Sequence, residues 1–148
     1  MDVLNAMMIK NLVTINLSSS IFKMTDELGA RNLREVLHIF RLLVESGEEV
    51  IGIFFMLVRH FRIMIQVKDL VMKGMRVGDI ARQIKSHPFV VSKMIGQIKN
   101  FSDRDLKIIY ANLAKIDYDF KTGRIKISTG DSSEFERIIE LMIVKLAQ

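Results

Sequence analysis

Residues 48–73 read EEVIGIFFMLVRHFRIMIQVKDLVMK, and this stretch decides the fold. Its first half is apolar on nearly every side of a helix, from Val50 through Val58. A helix that is hydrophobic all round belongs in the centre of a domain or in a membrane. The unbroken run is short of the roughly 20 apolar residues that a bilayer requires, and it leads straight into Arg59, His60 and Arg62. A buried central helix is the expectation. The second half turns amphipathic, with Phe61, Ile65, Lys68 and Met72 at helical spacing, and Gly74 closes it. Glu48 and Glu49 stand at the end where the helix dipole favours acids.

Working outward, helical periodicity fills most of the chain between one proline and eight glycines. Upstream, Ser18, Ser19 and Ser20 offer N-capping hydroxyls to a short helix with Ile21, Met24, Thr25 and Leu28 on one face and Gly29 as its stop. Asn32, with Glu35 three residues on, resembles a capping box and opens a helix that turns Leu33, Val36, Leu37, Phe40, Leu43 and Val44 inward, up to Gly47. Downstream, a short helix is expected over residues 77–85. Pro88 suits the first turn of the next, which continues to about Asn100. Ser102 caps a sixth, whose buried stripe is Leu106, Ile109, Tyr110, Leu113, Ile116 and Phe120. After Gly130 and Asp131 comes a last helix with Phe135, Ile138, Ile139, Met142 and Leu146 on its apolar face. Residues 7–17, MMIKNLVTINL, fit either a strand or an apolar linker. The pattern predicts an all-α fold, one compact bundle of six or seven helices. Residues 1–19 form a linker or N-terminal extension, and 20–148 form the helical domain.

Composition agrees. At 148 residues, 49% hydrophobic and 26% charged, the chain has the balance of one globular domain. It has no cysteine, which excludes disulfides and thiolate metal sites and fits a reducing cytosol. Residues 1–10 lack the basic start and long apolar stretch of a signal peptide. A cytoplasmic protein with no membrane partner is expected. The net charge of +5 is unevenly placed. Residues 1–58 carry 5 basic and 7 acidic side chains, residues 59–107 carry 11 and 4, and residues 108–148 carry 6 and 6. The positive excess in the middle third could face an acidic protein surface or nucleic acid, or be a solvated helix face.

Catalytic chemistry needs convergent polar groups, and few are offered. His38, His60 and His87 show no metal-ligand spacing and read as surface or capping histidines. KTGRIKISTG, residues 121–130, has neither form of phosphate-loop spacing. Asp117 and Lys121 face each other on a helix as an ordinary ion pair. No catalytic residue, no cofactor and no metal ligand is expected. Residues 77–100 do resemble a helix-turn-helix, with Ala81 at its crowded position. Its second helix would offer only Ser92, Lys93, Gln97 and Lys99 to DNA, with no arginine or asparagine for bidentate base contacts. A DNA-binding helix-turn-helix protein is the alternative function.

Taken together, IFKMTDELGARNLREVLHIFRLLVESGEEVIGIFFMLVRHFRIMIQVKDLV, then SHPFVVSKMIGQIKNFS, then DLKIIYANLAKIDYDFKTGRI and a final apolar helix resemble one family. It is the C-terminal domain of the delta subunit of bacterial DNA polymerase III, a clamp-loader component. The likeness covers residues 20–146. Its most specific parts are His87-Pro88-Phe89 opening a helix and Asp117 followed by Lys121-Thr122-Gly123.

The resemblance implies a collar domain in DNA replication. In the family, the collars of five related subunits pack into a ring that holds the clamp loader together. The full delta subunit also has two N-terminal domains related to ATPases, without a working phosphate loop, and these carry the element that grips the sliding clamp. The resemblance therefore implies that this chain is the collar portion, a non-catalytic part of a DNA polymerase holoenzyme. Its partners would be other clamp-loader subunits, with DNA contacted only indirectly or weakly. Arg59, Arg62, Lys68, Lys121 and Arg124 are the expected interface residues, steering assembly through charge.

Overall fold

A helix this apolar needs several neighbours, and helices before and after it in the chain cover most of its first half, leaving Phe55 exposed. The computed structural model describes residues 17–127 and 131–146. Among these, helix α1 covers residues 17–29 and six more follow: α2 (Leu33–Glu45), α3 (Val50–Met72), α4 (Val77–Ile84), α5 (Pro88–Ile98), α6 (Asp103–Lys121) and α7 (Ser133–Leu146). The fold is the expected all-α bundle. Residues 7–16 of the ambiguous stretch lie outside the described residues, while Leu17 is helical.

Helix α3 is the axis. It packs against α4, α5, α6 and α7, while α2 packs on α7 and α4 on α5. Val50, Ile53, Phe54, Leu57, Phe61, Met64, Val67 and Leu70 are all buried, and each such side chain contributes roughly 1.5–3 kcal/mol of hydrophobic stabilisation. By length and composition α3 would also pass as a membrane span. The buried stripe along it, matched by stripes on four neighbours, accounts for that apolarity as a protein core. Aromatic edges join the layers. Phe54 meets Phe135 of α7 at 5.4 Å between ring centroids, Phe135 meets Phe120 of α6 at 5.7 Å, and Phe61 meets Phe101 at 5.9 Å.

Local rules set the helix ends. Pro88 is in the first turn of α5, and Ser102 and Asp105 form a full capping box at the start of α6. Helix α6 ends in a Schellman turn: Gly123 at φ +79°, Arg124 N–H donating to Asp119 O at 2.8 Å, and Gly123 N–H to Phe120 O at 3.3 Å. The Lys121-Thr122-Gly123 signature is therefore a helix stop. It lets the chain turn and bury Ile125.

Several expectations need correction. Ser18, Ser19 and Ser20 do not cap α1, because the helix already includes Leu17. Leu17 extends the stripe of Ile21, Met24 and Leu28 by one turn, and packing of that stripe overrides the weak helix preference of serine. Helix α1 does end at Gly29, but Gly29 does not take the left-handed position. The left-handed position falls on Arg31, at φ +60°, a conformation costing a non-glycine residue roughly 1–2 kcal/mol. The Arg31 guanidinium offsets this by donating to Leu146 O at 2.9 Å, an unsatisfied carbonyl at the end of α7, and pairing with Asp105 at 3.2 Å. Asn32 accepts from Glu35 N–H at 3.4 Å, a long cap, and Ile39 is buried on α2 while Leu33, Leu37 and Val44 are half-buried. Tyr110 and Met72 are exposed.

Gly29 has a different job. A Cβ there would lie 2.9 Å from Asn100 Cβ and 3.2 Å from the Phe101 ring, so α1 rests directly on the α5–α6 junction. Gly96 of α5, by contrast, has open space where a Cβ would go. Gly29→Ala should therefore destabilise by about 1–3 kcal/mol through overpacking, while Gly96→Ala should stabilise by about 0.5–1 kcal/mol through helix propensity. Urea unfolding midpoints of the two variants check both signs.

Candidate functional site

Polar groups inside this core are few, and three helices contribute to one cluster. His60 of α3 and Gln97 of α5 are both buried. Gln97 Nε2–H donates to Phe22 O at 2.9 Å and to Asp26 Oδ1 at 2.8 Å, both on α1. These two acceptors fix the amide orientation, so Gln97 Oε1 faces His60 Nε2 at 2.8 Å and can only accept. His60 therefore carries its proton on Nε2. The Phe22 ring meets His60 edge-on at 4.6 Å. Burial pushes the His60 pKa below the ordinary histidine value, and the Gln97 hydrogen bond and the Asp26 charge oppose that shift only in part.

His60 is thus a core histidine and not the surface or capping residue expected. It sits in the buried spacing of Leu57, His60 and Met64, the signal that could have placed it inside. Gln97 follows Val91 and Met94 in the same way. His38 is exposed, and His87 caps α5, its Nδ1 accepting from Phe89 N–H at 3.0 Å. Among the described residues no three His, Asp or Glu side chains converge on a point that could hold a metal.

Open grooves flank α3: one of about 430 Å³ against α4 is lined largely by Gln66, Asp69, Lys73 and Gln83, and two others are more apolar. One of these two, of about 450 Å³, lies between α3 and α6. Ile65, Met72, Leu106, Tyr110 and Ala111 line it, and Lys68 and Asp103 stand across it in an ion pair at 2.6 Å. Hydrogen bonding from Lys68 holds the Asp103 carboxyl below the usual carboxylate range. Met72 is 75% exposed here. The other groove, of about 250 Å³, lies between α1, α3 and the start of α5, with Arg59 on its wall.

The five cations singled out in the sequence do not form one patch. Arg59 lines the α1–α3–α5 groove, and Arg62 is exposed one turn on. Lys68 is in the α3–α6 groove, bound to Asp103. Lys121 pairs with Asp117 at 3.1 Å, and Arg124 with Asp119 at 3.8 Å, at the far end of α6. Asp103 and Lys121 are the two ends of α6, about 27 Å apart at 1.5 Å per residue. The helix-turn-helix segment does form two packed helices, with Ala81 buried and Lys85 in the left-handed turn. Gln97, one of its four presumed contacts, points into the core.

Among the described residues the bundle is all-helical, with open grooves and no His, Asp or Glu cluster that could hold a metal. The sequence model for the DNA polymerase III delta subunit, C-terminal domain, matches residues 18–146. The chain belongs to that family. It is 31% identical over 138 residues to DNA polymerase III subunit delta of Bacillus subtilis (strain 168), which covers 93% of this chain and 38% of that relative. The structure of the Bacillus subtilis DNA clamp loader delta protein superposes with a TM-score of 0.76 at 30% identity, over 88% of this chain and 36% of that one. The chain thus spans less than two-fifths of the length of the relatives it matches.

The sign of the His60 effect is fixed by the direction of its shift. A folded-state pKa below the unfolded value near 6.5 means the unfolded chain binds the proton first as pH falls. The stability His60 contributes is full above pH 6.5 and is lost as pH falls through its folded-state pKa. Urea midpoints should fall between pH 7.5 and 5.5, and the slope should flatten in His60→Gln. An unchanged slope in that variant would assign the dependence to other groups.

Proposed function

We propose that this chain is the collar domain of a clamp-loader delta subunit, which assembles with other clamp-loader subunits in DNA replication in the cytoplasm. The observation that carries this reading is the match to the delta C-terminal domain from residue 18 to 146, nearly the whole described bundle. The domain supplies no chemistry in this reading. It is the holding part of a non-catalytic subunit, and contact with the sliding clamp belongs to the N-terminal part of the delta subunit. DNA meets it indirectly or weakly.

The α3–α6 groove suits the contact with a neighbouring subunit. Its floor is apolar, Met72 offers an adaptable exposed side chain, and the Lys68–Asp103 pair sits at the rim. This is the layout of an interface with an apolar centre and polar edge. Arg59, Arg62, Lys68, Lys121 and Arg124 then act by orienting approach. Lys68, Lys121 and Arg124 do so as halves of ion pairs within the chain.

Mixing the 148-residue chain with the collar domains of its cognate clamp-loader subunits should give a complex in sedimentation velocity. Met72→Glu should weaken it by about tenfold or more, as burying a charge at an interface centre does. Failure of every partner collar to bind at tens of micromolar overturns the assembly reading. Binding that ignores Met72→Glu moves the contact off this groove.

A further inference from the structure

The groove between α1, α3 and α5 differs from the α3–α6 groove in its charge. Its floor is built from Ile21, Met56, Ile63, Val90 and Met94. The two stretches of chain that form most of it contain no acid at all, from Val50 to Val67 and from Ile80 to Ser102. They carry Arg59, Arg62, Arg82, Lys85, Lys93 and Lys99, of which only Arg82 has a carboxylate partner among the described residues, Asp79. Arg59 is on the groove wall. Lys93 stands beside it, its Nζ 4.7 Å from the centroid of Phe22, a wall residue, and 5.7 Å from that of Phe89. Asp26, the nearest acid of α1, is committed to Gln97.

An apolar floor with a rim that is cationic and acid-free among the described residues selects its occupant by two criteria. The floor takes a large apolar side chain, and its two methionines can re-pack around more than one shape. The rim takes negative charge. A second copy of this chain docked groove to groove would bring the same positive rim to the contact, which like-charge repulsion disfavours. A nucleic acid satisfies the rim through its phosphates but has nothing aliphatic for the floor. A protein segment with acidic residues around an apolar anchor satisfies both.

We infer that the α1–α3–α5 groove docks a segment of a partner protein in which one or two large apolar residues are flanked by Asp or Glu. This site is separate from the α3–α6 groove and stands whether or not that groove is the collar contact. The test selects a phage-displayed random 12-residue library on the folded 148-residue chain, then titrates the enriched peptides while recording methionine methyl NMR. Enriched peptides should pair Leu, Ile or Phe with acidic neighbours and shift the Met56 and Met94 methyls. They should lose about tenfold in affinity against Arg59→Glu or Lys93→Glu, and weaken as salt rises. Both substitutions are at exposed positions. If either variant is less folded by circular dichroism, Arg59→Gln and Lys93→Gln replace them.

Four outcomes overturn the inference. The selection yields no binder or binders without acidic residues; the peptides leave Met56 and Met94 unmoved; or a twelve-nucleotide oligo-dT shifts those methyls more tightly than any peptide, marking a nucleic-acid surface. In the fourth, the two methyls respond to protein concentration alone, or only once residues 1–16 are removed. The groove would then be filled by a second copy or by the chain's own leading segment.

Discussion

Everything in this molecule depends on hiding α3. A 23-residue helix with buried side chains along its whole length cannot stand at a surface, so α4, α5, α6 and α7 are arranged around it. The hydrophobic term is non-directional, and alone it would accept many arrangements of those helices. Direction comes from a few polar contacts. Gln97 ties α5 to α1 and to His60 of α3 with an amide that has only one satisfactory orientation. Misplacing it would leave buried groups unpaired, each costing about 1–3 kcal/mol.

Most of the helices are legible in the sequence because their signals are local. The alternation of Leu106, Ile109, Leu113 and Ile116, the proline opening α5 and the serine box opening α6 are all settled within one or two turns of chain. Ion pairs one helical turn apart, such as Asp117 with Lys121, are legible for the same reason. The rest depends on partners distant in sequence. What satisfies the buried His60 ring is a glutamine 37 residues away, and whether Lys68 is free is decided by Asp103. Arg31 takes the left-handed position two residues after a glycine that could have held it, because Gly29 is needed where α1 touches Asn100 and Phe101. The middle third is basic, but helical geometry puts Arg59 and Lys68 in different grooves, Arg62 exposed one turn from Arg59, and Lys121 and Arg124 at the end of α6.

The α3–α6 and α1–α3–α5 grooves are two kinds of surface. Towards α6 the charge is internally balanced by Lys68 and Asp103, and exposed apolar area dominates. Towards α1 and α5, Arg59 and Lys93 have no carboxylate partner among the described residues. A small domain that only had to fold would have no need of either surface. The proposed collar role would give each of them a use.

Arg31 links the α1–α2 turn, the first turn of α6 and the last carbonyl of α7, across a sequence separation of 115 residues. Helices α3, α4 and α5 can dock on one another soon after they are made, because their contacts close short loops. The Arg31 contact and the seat of Phe135 against Phe54 have to wait for α7. On a ribosome the central helix is therefore finished long before its final cover is delivered. The interval exposes part of the most apolar segment of the chain, so the speed at which the last helix arrives bears on how safely the domain is made.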